Sequence, residues 1–116
     1  MNVEQAVDKL AALAQETRLK IFRLLVEVGD QGLNAGAIAE ALDLAPATLS
    51  FHVAQLNRAG LVNARQESRF IYYSAAYPAM DELIAYLTDN CCQGKACLPK
   101  TAAAATTDKR RRAKST

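Results

Sequence analysis

Long hydrophobic runs are absent from this chain of 116 residues. No stretch of about 18 apolar residues occurs, which excludes a membrane-spanning helix. Residues 1–5 lack a basic region followed by an apolar stretch, so the sequence predicts no secretion signal. We therefore expect a cytoplasmic protein with no membrane partner.

Cysteine, histidine and tryptophan are also scarce: the chain has three Cys, one His and no Trp. An odd number of cysteines in a cytoplasmic protein argues against a disulfide framework and for free thiols. Because no second imidazole exists to share a metal, His52 is expected to pack or to contact a phosphate. The length fits one domain, which leaves little room for a substrate pocket enclosed between two lobes.

Net charge is low, at +2, but it is unevenly distributed. Residues 98–116 carry six Lys or Arg and one acid, whereas residues 1–97 carry eight basic and eleven acidic side chains. A nucleic-acid-binding core that is net acidic must concentrate its positive charge on one face. The tail is expected to be disordered and basic.

Apolar side chains at helical spacing predict four helices in the first half of the chain. They cover residues 3–14, residues 17–28, a short third helix capped by Asn34 with Leu33 as a staple residue, and a fourth from Pro46 to Gly60. The inward positions of the third helix are expected to be Ala37, Ile38, Ala41 and Leu42. Those of the fourth are Leu49, Val53 and Leu56.

After Gly60 the apolar period changes to that of strands. Residues 61–65 and 70–74 predict a two-stranded hairpin with Glu67 and Ser68 near its tip. A last helix is predicted from Pro78 to Asn90. The fold class is therefore mainly α with a small β-hairpin, a winged helix-turn-helix over residues 1–92. Residues 93–116 are expected to form a cysteine-containing turn and the basic tail.

This order of elements predicts a DNA-reading helix that begins at Pro46 and enters the major groove. Small and polar groups on its first turns allow close approach, Gln55 can hydrogen-bond a base, and an exposed Phe51 would meet a thymine methyl. Arginines of this helix and of the hairpin would neutralise phosphates. The predicted DNA-contacting residues are Ala47, Thr48, Ser50, Phe51, His52, Gln55, Arg58, Arg65 and Arg69.

Residues 10–22, 38–42, 48–53, 56–62 and 69–74 together resemble the ArsR/SmtB family of metalloregulatory repressors. The resemblance implies a homodimer built through the first and last helices, an inverted-repeat operator in double-stranded DNA, and release by an inducer. Apolar residues of those two helices support the dimer independently: Val3 and Val7 on the first, and Met80, Leu83, Ile84 and Leu87 on the last. Ser68 departs from the family, which often has Gly in the wing turn.

Cys91, Cys92 and Cys97 fall within seven residues, directly after the last predicted helix. Gly94 supplies a turn that helps the thiols converge, and Lys95 favours thiolate. Three thiolates form a soft-ligand site. Trivalent arsenic accepts three sulfurs, because its lone pair occupies the fourth direction.

The resemblance narrows the ligand further. The helix before the reading helix lacks the cysteine pair of many arsenic sensors, and the last helix lacks the histidines of zinc sensors. The pattern is similar to the arsenic-responsive branch with a C-terminal cysteine site. We expect As(III) as inducer, with Sb(III) as a second ligand.

Other signals stay open at this point. Zn(II), Cd(II) or Pb(II) would suit the site if Asp89 or a water filled a fourth position, and a thiol redox or persulfide switch is a further alternative. No phosphate-cradling loop and no nucleophile with a base partner occurs, so no enzyme activity is expected.

Overall fold

The computed structural model describes residues 1–90 and 93. Residues 1–86 form one compact unit, and a second begins at Leu87. Cys91, Cys92 and Cys97 lie outside the described residues, as does the predicted basic tail. Within the part that is described, no helix is both long enough and apolar enough to cross a membrane.

The first two helices begin at side-chain caps. Helix α1 covers Val3–Leu13, and a capping box joins Asn2 to Gln5: the Asn2 side chain accepts from the Gln5 amide at 2.8 Å, and the Gln5 side chain accepts from the Asn2 amide. Helix α2 covers Glu16–Val28 and is capped by Gln15. Both predicted helices are confirmed, with ends that differ by one residue.

The helix-turn-helix consists of α3, Ala35–Leu42, and α4, Pro46–Arg58. Asn34 caps α3 as predicted, accepting from the Ala37 amide at 2.8 Å. Asp43 ends α3 in the left-handed conformation, with φ 54°, and its amide donates to carbonyls of the last turn. Pro46 then starts α4, where its fixed φ and missing N–H fit the first turn.

A small antiparallel sheet has the strand order β1-β3-β2, where β1 is Leu33–Asn34, β2 is Val62–Glu67 and β3 is Phe70–Ala75. The hairpin register runs from Val62 opposite Ala75 to Glu67 opposite Phe70. The hairpin was predicted; β1 was not. Leu33 pairs with Tyr73 in the sheet, so its expected role as a helix staple is corrected.

Helix α5 covers Tyr77–Leu87 and ends three residues earlier than predicted. The chain turns after Leu87, and Asn90 has a left-handed φ of 59°, which a continuing helix does not permit. The Tyr77 hydroxyl donates to the Val26 carbonyl at 2.8 Å and so fastens the start of α5 to α2. Leu83 is buried within the protomer at 6% exposure, so it is not part of an exposed dimer face.

One core holds these elements together. The stripe predicted for α4 is confirmed, since Leu49, Val53 and Leu56 are all buried. In α3 the stripe differs from the prediction: Ala39 is buried and Ala41 is exposed. Alanines occupy both positions, so their size gives no signal for either face. The largest fully buried side chains are Ile21, Leu25, Ile38, Leu49, Leu56 and Leu61.

Candidate nucleic-acid interface

Burial of the apolar stripe of α4 turns its other faces outward. Ala47, Thr48 and Ser50 are exposed, and Phe51 is 58% exposed, although it is a large aromatic residue. His52 and Gln55 are half-buried on one flank of the helix. The residues predicted to read DNA therefore share the solvent side of α4, the side that a major groove would meet.

His52 is held by an arginine of α2. Arg18 Nη1 lies 3.2 Å from His52 Nδ1, and Arg18 Nε donates to the Ala12 carbonyl at the end of α1 at 2.6 Å. Because arginine has donors and no acceptor, Nδ1 accepts this bond and the ring proton is on Nε2. The Phe51 ring meets the imidazole edge-on, with centroids 5.2 Å apart.

This environment lowers the pKa of His52 below its ordinary value of 6.5. The first cause is desolvation by burial, and the second is the positive charge of Arg18. His52 is therefore neutral at pH 7 and presents an N–H donor at Nε2. Its predicted place at the DNA interface is compatible with that donor, since phosphate oxygens accept hydrogen bonds.

Gln55 and Arg58, both predicted to contact DNA, are joined to each other. Arg58 Nη1 donates to Gln55 Oε1 at 2.9 Å on the exposed surface. Both line a cleft of about 300 Å³ between α1 and α4, together with Asp8 and Arg18. The bond aligns the two side chains along the flank of α4 that also carries His52.

The hairpin presents its two predicted arginines differently. Arg65 is tied down: Nε lies 2.8 Å from Glu67 Oε2, Nη2 donates to the Gln31 carbonyl, and the guanidinium lies over the Tyr72 ring. Arg69 lies at the exposed tip, 5.8 Å from the Phe70 ring centroid. At Ser68, where the family often has Gly, φ is 59°. Serine therefore accommodates the left-handed tip of the hairpin.

The described residues contain no metal centre. Within residues 1–90 and 93, no three His, Cys, Asp or Glu side chains are grouped so that they could hold a metal ion. The predicted ligands Cys91, Cys92 and Cys97 fall outside that part of the chain, so the ion site stays a prediction.

Arg18 is the site residue that sequence reasoning missed. It lies in the first turn of α2, and both of its bonds cross to other helices, one to α1 and one to α4. No local spacing pattern reveals a contact between residues 34 positions apart. The usable signal was only an arginine next to the helix start.

The helix-turn-helix, followed by a β-hairpin wing and a surface-exposed second helix, defines a winged helix-turn-helix DNA-binding regulator. A family model described as a helix-turn-helix domain matches residues 13–65. The transcriptional activator HlyU of Vibrio cholerae is 36% identical over 92 residues, covering 79% of this chain and 82% of that protein. The chain belongs to the ArsR family of winged helix-turn-helix transcriptional regulators.

Solved structures agree with this assignment. HlyU from Vibrio cholerae superposes with a TM-score of 0.61 at 32% identity, covering 80% of this chain and all of that one. The homodimeric winged helix-turn-helix domain of Mb0332 from Mycobacterium bovis has a TM-score of 0.61 at 28% identity, covering 84% and 90%. A Halobacterium salinarum protein named as an arsenical resistance operon repressor, ArsR, is 37% identical over 71 residues, which is 61% of this chain and 54% of that protein.

Proposed function

We propose that this chain is a metalloid-responsive repressor that binds an inverted-repeat operator as a homodimer and is released by As(III). One observation carries the proposal: all three cysteines of the chain, Cys91, Cys92 and Cys97, fall within seven residues beyond α5. Sb(III) has the same preference for sulfur and is proposed as a second inducer.

The chemistry balances without an oxidant. Arsenous acid exchanges its three hydroxides for three thiolates; each As–S bond forms as one water leaves with a thiol proton. Thiolate is the soft ligand that such an ion prefers, and clustered thiols bind it as a chelate. Since the exchange needs all three sulfurs to converge, it reorders the chain that follows α5.

Exposed apolar residues support the dimer. On α1, Val3 and Val7 are 63% and 55% exposed, and Leu10 lies on the same face. Such a row is stabilised when a second copy covers it. On α5, Ile84 is also exposed in the protomer. The structurally similar Mb0332 domain is described as homodimeric, which supports the same assembly here.

The names of the relatives support a regulator but differ in signal. The Halobacterium protein is named for arsenical resistance, which favours the metalloid. HlyU is named as an activator. The direction of regulation is therefore measured directly, by asking whether the ligand-free protein holds DNA.

The test is an operator-release assay with the full chain. A duplex is selected from a random library by the ligand-free protein, and As(III) is then titrated into the complex while fluorescence anisotropy reports bound DNA. We expect release, with affinity lowered about 5–150-fold, the usual range of coupling between two sites. By linkage, DNA lowers the affinity for As(III) by the same factor.

Matched variants assign the effect. Cys91→Ser, Cys92→Ser and Cys97→Ser are each expected to bind the duplex normally and to resist As(III). Parallel titrations with Zn(II), Cd(II), Pb(II), peroxide and a persulfide donor test the alternative signals. Release by peroxide or persulfide alone, with a new sulfur bond seen by mass spectrometry, would replace the metalloid proposal with thiol oxidation.

A duplex that stays bound at saturating As(III) contradicts the proposal. So does a variant with all three cysteines replaced that is still released at the wild-type concentration of As(III).

A further inference from the structure

The outermost row of α4 is apolar. Ala47, Phe51, Ala54 and Arg58 are spaced so that they lie on one face of the helix, opposite the buried Leu49–Val53–Leu56 stripe. All four are exposed. Before Arg58 the row therefore consists of two alanines and a large ring, with no hydrogen-bonding side chain among them.

An apolar row on a DNA-reading helix has a specific complement. The major-groove edges of the four bases present hydrogen-bond donors and acceptors, and the apolar group among them is the C5 methyl of thymine. A phenyl ring cannot hydrogen-bond to a base edge, but it gains free energy by covering that methyl. The small neighbours at Ala47 and Ala54 leave the ring room to approach.

The ring is also held in place, although it is exposed. Its edge-on contact with His52 has an interplanar angle of 70°. His52 is held by Arg18, and Arg18 is anchored on the Ala12 carbonyl of α1. Three helices thus contribute to the position of one exposed side chain, which lowers the entropy that Phe51 loses when it binds.

We propose that Phe51 reads a thymine methyl in the operator, and that Arg18 is a positioning residue that fixes the Phe51 ring through His52. The inference rests on the proposed binding of operator DNA and names a base that this helix selects. It does not depend on the identity of the inducer.

The test compares thymine with uracil, which lacks only the methyl. A duplex is selected by the ligand-free full chain from a random library, and each thymine is replaced singly by uracil. At fixed salt, we expect at least one replacement in each half-site to weaken wild-type binding about fourfold, the value of one buried methyl. All other replacements leave the dissociation constant unchanged.

Three variants locate the reader and its support. Phe51→Ala lowers the thymine-to-uracil ratio at that position to about one, and Arg18→Met lowers it to below about two, because a loosely held ring gains less. His52→Gln, which keeps an acceptor for Arg18 but lacks the ring, has the same effect as Arg18→Met. It also serves if Arg18→Met does not fold.

The matched control is Arg23→Met, which removes the same charge from an exposed position on α2. It is expected to retain the fourfold ratio, so a general loss of positive charge does not explain the result. A wild-type protein that tolerates uracil everywhere overturns the reading role of Phe51. An unchanged ratio in both Arg18→Met and His52→Gln overturns the positioning role of Arg18. Failure to enrich any duplex instead contradicts DNA binding itself.

Discussion

His52 is the one histidine of the chain, and its ionisation can be followed without overlap from other imidazoles. We expect an NMR titration of its ring protons to give a pKa below 6.5, because burial and Arg18 both disfavour the imidazolium. Arg18→Met should raise that pKa toward 6.5, since it removes one of the two causes. A pKa at or above 6.5 in the wild type would contradict the Arg18–His52 contact.

The same shift sets the sign of a stability effect. A histidine whose folded-state pKa is lowered binds fewer protons in the folded than in the unfolded protein. The stability it contributes is therefore complete above pH 6.5, the unfolded value, and is lost as the pH falls through the folded pKa. Urea unfolding of wild type and His52→Gln between pH 5 and 8 isolates this term, and the wild type should lose more stability toward pH 5.

Arg69 at the hairpin tip is the more accessible of the two wing arginines, since Arg65 is paired with Glu67. If Arg69 neutralises one phosphate, Arg69→Gln should reduce the slope of log affinity against log salt by about 0.9. Anisotropy titrations at several salt concentrations measure this slope. Arg23→Gln, outside α4 and the hairpin, should leave the slope at its wild-type value; equal slopes for wild type and Arg69→Gln would remove Arg69 from the interface.

At the scale of single residues, sequence reasoning found exposure better than it found partners. The buried stripe of α4 follows from the spacing of Leu49, Val53 and Leu56, and the exposure of Ala47 and Ser50 follows from that stripe. The bond from Arg18 to His52 does not follow, because it depends on how α2 packs against α4. Helical period describes one element at a time and carries no information about its neighbour.

Among the elements, the short strand β1 depends on Gly32. Gly32 has φ +73°, and a Cβ there would overlap the Tyr73 carbonyl of β3. We expect Gly32→Ala to destabilise the protein by about 1–3 kcal/mol, because it adds both backbone strain and a clash. Urea denaturation measures the change.

Gly36 is the matched control for that substitution. It lies in α3, and an added Cβ would meet the Asn34 side chain at an ordinary 3.5 Å. Gly36→Ala should therefore stabilise the protein by about 0.5–1 kcal/mol, the helix preference of Ala over Gly. The same chemical change thus has opposite signs at two positions four residues apart, and equal signs would contradict the close approach at Gly32.

Helices were predictable here and β1 was not, for a physical reason. Apolar spacing over 11 to 13 residues identifies α2 and α4, and Pro46 and Asn34 mark helix starts. Strand β1 has two residues, too few to show an alternating pattern, and it exists because Leu33 meets Tyr73 from far along the chain. The end of α5 was also missed, since polar residues 88–90 do not exclude a further helical turn.

For the whole molecule, the proposed dimer makes a separate prediction. Val7→Asp places a carboxylate on the exposed row of α1, where a second copy would bury it at a high cost. We expect the variant to be monomeric by sedimentation and to bind an inverted-repeat duplex at least about tenfold more weakly. Leu19→Asp makes a similar change at a 44% exposed position on α2 and should remain dimeric. A dimeric Val7→Asp protein would exclude α1 from the interface.

Strand β1 ties the wing to the helix-turn-helix. Asn34 pairs with Tyr72 in the sheet and, through its side chain, caps α3. Reading helix and wing thus turn together as a single rigid body in each subunit. Any effector that ejects the duplex must then tilt two such bodies against each other, so that their grips fall out of phase with the helical repeat of DNA while each grip stays intact.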